Sequence, residues 1–281
     1  MVLLLIASIL EILPNELSGE KGYMMVQKIS GGKSKPLPSN NDLEPVDGAD
    51  IVTHIDVRMQ DLCHNALYDQ LEKFEAQSGT VILMETKTGA IKSMVNLRKG
   101  SDGLYRETQN YAVGSATEPG SIIKLISYMV AMEDGYIDTN DLIETGNGIT
   151  QFYGQRMTDS QAKRGGLGTV SVKRAFELSS NIAIAKIIED HYKNNPRKFV
   201  DGLNKMGVGY KLDLPIKGEG QPKLPNPNNK DTWSGTSLAW MTFGYGVHMT
   251  PLQTLAVYNA VANNGEMVKP RFIKEIRDQN Q

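Results

Sequence analysis

In Glu118-Pro119-Gly120-Ser121-Ile122-Ile123-Lys124 a serine hydroxyl and a lysine amine stand three residues apart, at the mouth of a segment that reads as a buried helix. Up to the closing Glu133-Asp134, residues 121–134 are apolar all round except for Ser121, Lys124 and Ser127, which recur every three positions and share one narrow face. Burial disfavours the charged form of a lysine, and an amine that is partly neutral beside a hydroxyl can take its proton. The pair therefore has the chemistry of a serine nucleophile with a lysine base. Pro119 and Gly120 turn the chain into the helix and present Ser121 at its positive end, where a developing oxyanion is stabilised. The plainer alternative is a helix with a serine N-cap and a lysine whose stem packs while its ammonium reaches water.

A second polar group supports the chemical reading. Ser179-Ser180-Asn181 lies at the junction of two amphipathic runs, one from Ser171 through Val172, Ala175, Phe176 and Leu178, the other through Ile182, Ile184, Ala185, Ile187 and Ile188. Three small polar residues between two helical runs predict a tight turn that caps the next helix. Capping alone could explain them. A Ser-x-x-Lys at a helix mouth together with a Ser-x-Asn at a helix junction is a far more specific combination, and both belong to the signature set of penicillin-binding proteins and class A β-lactamases.

With Gly244-Tyr245-Gly246, Thr250-Pro251-Leu252-Gln253, Ala262-Asn263-Asn264-Gly265 and Val268-Lys269-Pro270, the chain resembles a class B penicillin-binding protein transpeptidase domain over roughly residues 20–276, most closely the division-specific septal type. Asp50-Ile51-Val52-Thr53-His54-Ile55-Asp56 and Glu85 to Lys92 look like the entry to that domain and its first hairpin. The resemblance implies a β-lactamase-like, serine D,D-peptidase α/β (α+β) fold, with an antiparallel sheet, a helical lobe and the nucleophile helix between them. It implies that Ser121 attacks the D-Ala-D-Ala bond of a peptidoglycan stem peptide, that Lys124 takes its proton, that Ser179 relays a proton to the leaving amine and that Asn181 holds the substrate amide. β-Lactam antibiotics would be trapped at the same serine, and membrane proteins of the division machinery would be partners. The expected location is the periplasmic face of the bacterial cytoplasmic membrane, the membrane anchor being absent from this chain.

Lys87-Thr88-Gly89 could be mistaken for the third motif of that family. It lies between strand-like runs at residues 80–84 and 90–95, where Gly89 supplies the positive φ of a turn. The family's working Lys-Thr/Ser-Gly strand follows the Lys-Pro segment, so the chain is expected to stop before it and to be impaired alone. One oxyanion donor would be the Ser121 N–H; the other belongs to that strand.

The remaining elements follow from local signals. Asp56 caps a helix over about 57–76, Gly135 ends the nucleophile helix, and Thr250 to Gln253 is a capping box with Pro251 in the first helical position. Gly146-Asn147-Gly148, Gly165-Gly166 and 222–231 read as loops, and Arg271 to Ile276 as a strand. Residues 1–48 are expected to be the tail of a pedestal region and a linker, and 49–281 the transpeptidase domain. Met1 to Leu10 is apolar but shorter than the roughly twenty residues of a membrane helix, and it lacks the basic flank of a secretory signal.

Composition is consistent with a folded enzyme. The 281 residues are 40% hydrophobic with a net charge of −2, which gives no electrostatic case for nucleic acid. A single cysteine, Cys63, excludes an internal disulfide, and its place on an apolar helical run predicts a buried structural thiol. The four histidines, His54, His64, His191 and His248, show no ligand spacing, so no metal or cofactor is expected. Two other classes remain open at this point: a non-catalytic scaffold with the same fold, and a β-lactam-hydrolysing or sensing relative.

Overall fold

The computed structural model describes residues 13, 17–37 and 41–277. Met1 to Leu10 lies outside the described residues. The described residues divide into two compact units, one formed by those up to 110 with 214–217 and 268–277, the other by 111–213 with 218–267.

The first unit holds most of the strand structure. Residues read as linker form a hairpin, β1 (Val26–Ile29) with β2 (Lys33–Pro36), in antiparallel register from Val26 opposite Pro36 to Ile29 opposite Lys33. Both strands are exposed and carry no apolar alternation, which is why a sequence pattern does not announce them. Next, β3 (Asp50–Thr53) pairs antiparallel with the late strand Ile273–Arg277. Helix α1 (Val57–Lys73) starts where expected, with the Asp56 carboxylate accepting from the N–H groups of Arg58 and Met59.

A three-stranded antiparallel sheet follows, β4 (Ser78–Met84), β5 (Ile91–Lys99) and β6 (Tyr105–Arg106), with β5 central. The Lys87-Thr88-Gly89 tripeptide is the turn between β4 and β5, with Gly89 at φ 72° and the Thr88 hydroxyl donating to Glu85. Leu67 and Leu71 of α1 pack on Val95 and Leu97 of β5. Gln60, itself buried, locks the same pair of elements: its amide N–H donates to the Met94 carbonyl, and its oxygen accepts from the Met94 N–H and the Ser93 hydroxyl. Cys63 is only half-buried at the edge of this cluster, so the expectation of a buried thiol is corrected: α1 turns Leu67 and Leu71, not its cysteine, fully inward.

The second unit is mainly helical. It runs from α2 (Tyr111–Gly114) through α3 (Ile123–Glu133), the short strand β7 (Leu142–Glu144), the hairpin β8 (Ile149–Phe152) and β9 (Gln155–Thr158), and β10 (Thr169–Ser171), which pairs with β7. Helices α4 (Val172–Glu177), α5 (Asn181–Tyr192), α6 (Pro196–Lys205), α7 (Ser237–Met241) and α8 (Pro251–Ala262) complete it. Its core joins Ile123, Ile126 and Val130 of α3 to Ile184, Ile187 and Ile188 of α5 and to Phe199 and Leu203 of α6. Helix α3 is thus buried as its composition predicts, and Gly135, at φ 72°, follows its end. Thr250 and Gln253 make the reciprocal capping box. Among the described residues no helix is long and apolar enough to cross a membrane.

Candidate active site

The entry to α3 differs from a simple helix start. Gly120 to Ile122 form a 3-10 turn with Gly120 at φ 64°, and the α-helix proper begins at Ile123. This tighter turn leaves Ser121 exposed while Lys124, one turn on, is only 2% exposed. Ser127, on the same face, is buried and donates to the Thr242 carbonyl, so its part is to tie α3 to the end of α7.

The nucleophile turn is braced by the segment between α7 and α8. Thr117 and Met249 exchange two backbone hydrogen bonds, and the Gly246 N–H donates to the Glu118 carboxylate at 2.8 Å. Gly244 lies against Gly120 so closely that a Cβ there would sit 2.5 Å from the Gly120 nitrogen. The Gly244-Tyr245-Gly246 motif therefore has a physical meaning beyond pattern: with Met249 it presents the backbone on which the Ser121 turn rests.

Lys124 and the Ser179 turn meet directly. The Lys124 amine donates to the Ser179 carbonyl at 2.6 Å and to the Ser179 hydroxyl at 3.0 Å. Ser179 reaches this position with φ 53°, in the left-handed region, as the turn between α4 and α5 requires. Ser180 is the N-cap of α5, its hydroxyl accepting from the Ala183 N–H, and Asn181 begins the helix with its side-chain amide donating to the Thr158 carbonyl. Ser121 and Asn181 share the lining of one cleft of about 340 Å³, with Glu118, Gly120, Phe243, Gly244 and Tyr245. Tyr245 is exposed there, edge-on to Phe243 with ring centroids 5.5 Å apart.

All four residues expected from sequence thus fall within one constellation, Ser121 and Asn181 on the cleft and Lys124 bonded to Ser179. The sequence reading missed Asp159. This carboxylate is 3% exposed, just past β9, and it accepts from the Ser180 hydroxyl at 2.6 Å, the Asn181 N–H at 2.6 Å and the Ile182 N–H at 3.0 Å. It takes up the free donors at the start of α5, the electrostatically favoured place for an anion. No local pattern marks it, since its partners lie more than twenty residues away.

The electrostatics follow from this packing. Burial pulls the Lys124 amine down to about 8, and the Asp159 charge opposes that fall. About a tenth of such a lysine is neutral at pH 7, against well under a thousandth for a free one. The hydroxyl of Tyr128, on the next turn of α3, is pushed up by burial and by Asp159, so it stays protonated. A lysine amine that is partly neutral, one turn from an exposed serine hydroxyl, has the chemistry of a general base. Among the described residues there is no cluster of side chains able to hold a metal ion.

Comparison with known proteins adds the following. Residues 79–281 match the family model described as the penicillin binding protein transpeptidase domain. The chain is 27% identical to the penicillin-binding protein PbpB of Mycolicibacterium smegmatis over 92% of its own length and 39% of the relative's. It is 25% identical to the peptidoglycan D,D-transpeptidase FtsI of Escherichia coli, over 92% of this chain and 42% of the relative. Among solved structures, the apo transpeptidase domain of Burkholderia pseudomallei penicillin-binding protein 3 superposes with a TM-score of 0.67 at 27% identity, covering 82% of this chain and 62% of that one. The chain therefore spans about two fifths of the length of these two curated relatives.

Proposed function

Since the chain belongs to the penicillin-binding protein transpeptidase domain family, we propose that it carries the acylation centre of a peptidoglycan D,D-transpeptidase. The observation that carries this reading is the buried Lys124 amine, bonded to Ser179 and one turn from an exposed Ser121 on a cleft shared with Asn181.

In this reading the Ser121 oxygen attacks the carbonyl between the last two D-alanines of a stem peptide as its proton passes to neutral Lys124. The Ser121 N–H faces the oxyanion, and the tetrahedral intermediate collapses with cleavage of the peptide C–N bond. Ser179, already in contact with Lys124, passes a proton to the departing D-alanine amine. Asn181 holds the amide of the stem peptide, and Tyr245 supplies an aromatic wall. The amino group of a neighbouring stem peptide then attacks the Ser121 ester, which forms the crosslink and frees the serine. A β-lactam enters the same path, but its leaving nitrogen stays tethered and the ester persists.

Two carboxylates near the site are engaged in fixed bonds, Asp159 with the α5 start and Glu118 with Gly246. This favours a stable acyl-enzyme over a hydrolysing relative. Residues 49–281 as the transpeptidase domain and 1–48 as the tail of a pedestal region belong to the same reading. So do a place outside the cytoplasm, at the periplasmic face of the membrane, and membrane partners of the division machinery.

The test is the pH dependence of penicillin acylation. Because the neutral amine is the base and its midpoint is about 8, the rate is expected to climb roughly fivefold from pH 7 to 8 and to level off above about 9. A profile flat from pH 6 to 9, or one still rising at the free-lysine value, would remove Lys124 from the role.

A further inference from the structure

The contacts that brace the nucleophile turn from the α7–α8 segment all act on residues before Ser121, at Thr117, Glu118 and Gly120. A separate contact acts on the residue after it. Tyr258, two turns into α8, donates a hydrogen bond of 2.7 Å from its hydroxyl to the carbonyl of Ile122. Ile122 is the residue from which the α3 helix starts, so this bond sets the hinge between the 3-10 turn and the helix.

The setting makes a hydroxyl there conspicuous. The Tyr258 ring lines an apolar groove of about 450 Å³ with Pro119, Ile122, Met249, Pro251 and Leu255. Those neighbours would accept a phenylalanine as readily. A tyrosine half-buried in apolar surroundings is stable when its polar tip finds a partner, and here the partner is the backbone next to the nucleophile. Burial pushes the phenol up, so it remains a donor at any pH at which Lys124 works as a base.

We propose that Tyr258 is a positioning residue for Ser121, fixing the Ile122 carbonyl so that the serine hydroxyl is held toward the cleft and within reach of Lys124. It touches neither substrate nor reacting atoms; it acts through the backbone of the nucleophile turn. Small errors in nucleophile placement carry large rate costs, and a site keeps its geometry only if supporting residues lock it.

This rests on Ser121 being the nucleophile. The experiment compares the full chain with its Tyr258→Phe variant in time-resolved acylation by a fluorescent penicillin, separating the limiting acylation rate from the half-saturating concentration. Removing one net hydrogen bond predicts a limiting rate lower by about fivefold, with the half-saturating concentration and the pH midpoint unchanged and the thermal midpoint lower by no more than about 4 °C. A merely structural role would lower the thermal midpoint and leave the limiting rate of the folded protein as it was; that result, or an unchanged limiting rate, overturns the proposal. If the parent chain takes up no penicillin, the functional reading fails separately. Amide hydrogen exchange over 118–126 then decides on Tyr258: faster exchange in the variant supports the positioning role, and identical exchange overturns it.

Discussion

Asp159→Asn is expected to slow penicillin acylation by about ten- to a hundredfold at its pH plateau and to move the pH midpoint below the parental value of about 8. The substitution keeps the shape of the side chain and one oxygen for the Asn181 and Ile182 N–H groups, but it removes the charge that makes those bonds strong. The turn that meets Lys124 is then held less firmly. The direction of the pH shift is set independently. Burial lowers the lysine, Asp159 alone is seen to oppose it among the described residues, and without that charge the amine gives up its proton at lower pH still. Following the Lys124 side-chain resonance by NMR as pH is varied checks this whether or not the chain turns over. A midpoint that stays put or rises would contradict the assignment. Asp159→Ala is the harsher control, since it leaves a buried hydroxyl and two helix-start N–H groups without their acceptor.

Gly244→Ala should be as damaging from the opposite side of the site. The new methyl would stand 2.5 Å from the Gly120 nitrogen, 2.6 Å from its Cα and 2.7 Å from its oxygen, all backbone atoms with no side chain to swing aside. Gly244 also sits at φ 107°, which an alanine tolerates poorly. The Gly120 turn must move, and Ser121 with it; a displacement of about 1 Å at a nucleophile costs about a hundredfold in rate. Gly218→Ala is the matched control, because Gly218 has φ 84° with nothing within 4 Å of an added Cβ. The expected result is a collapse of acylation in the Gly244 variant only. Equal acylation in the two variants would mean that the close approach at Gly120 does not set the position of Ser121.

The features legible in the sequence are those written in neighbouring residues. Asp56 before α1, Gly89 in the β4–β5 turn, Ser171 before α4, Ser180 before α5 and the Thr250–Gln253 box are local hydrogen-bonding or φ requirements, and each is met where its pattern stands. The placement of Ser121, Lys124, Ser179 and Asn181 was legible for a related reason, since each sits at a helix terminus or one turn inside it. The missed residues act across the fold. Asp159 reaches Ser180 from 21 positions away, Gln60 reaches Met94 from 34 and Tyr258 reaches Ile122 from 136. A buried polar side chain of this kind looks like any surface residue until the chain is folded around it. The β1–β2 hairpin was hidden for another reason: with both faces exposed, its strands carry no alternation to read.

The central claim, that Ser121 is a nucleophile activated by Lys124, is tested most directly by intact mass. The chain is incubated with benzylpenicillin at pH 8.5, where most of Lys124 is neutral, alongside Ser121→Ala and Lys124→Met. The account predicts one adduct of the mass of the intact penicillin, carried by the peptide that contains Ser121 and missing from both variants. An adduct that persists in Ser121→Ala, or an unmodified chain after prolonged incubation, would contradict it.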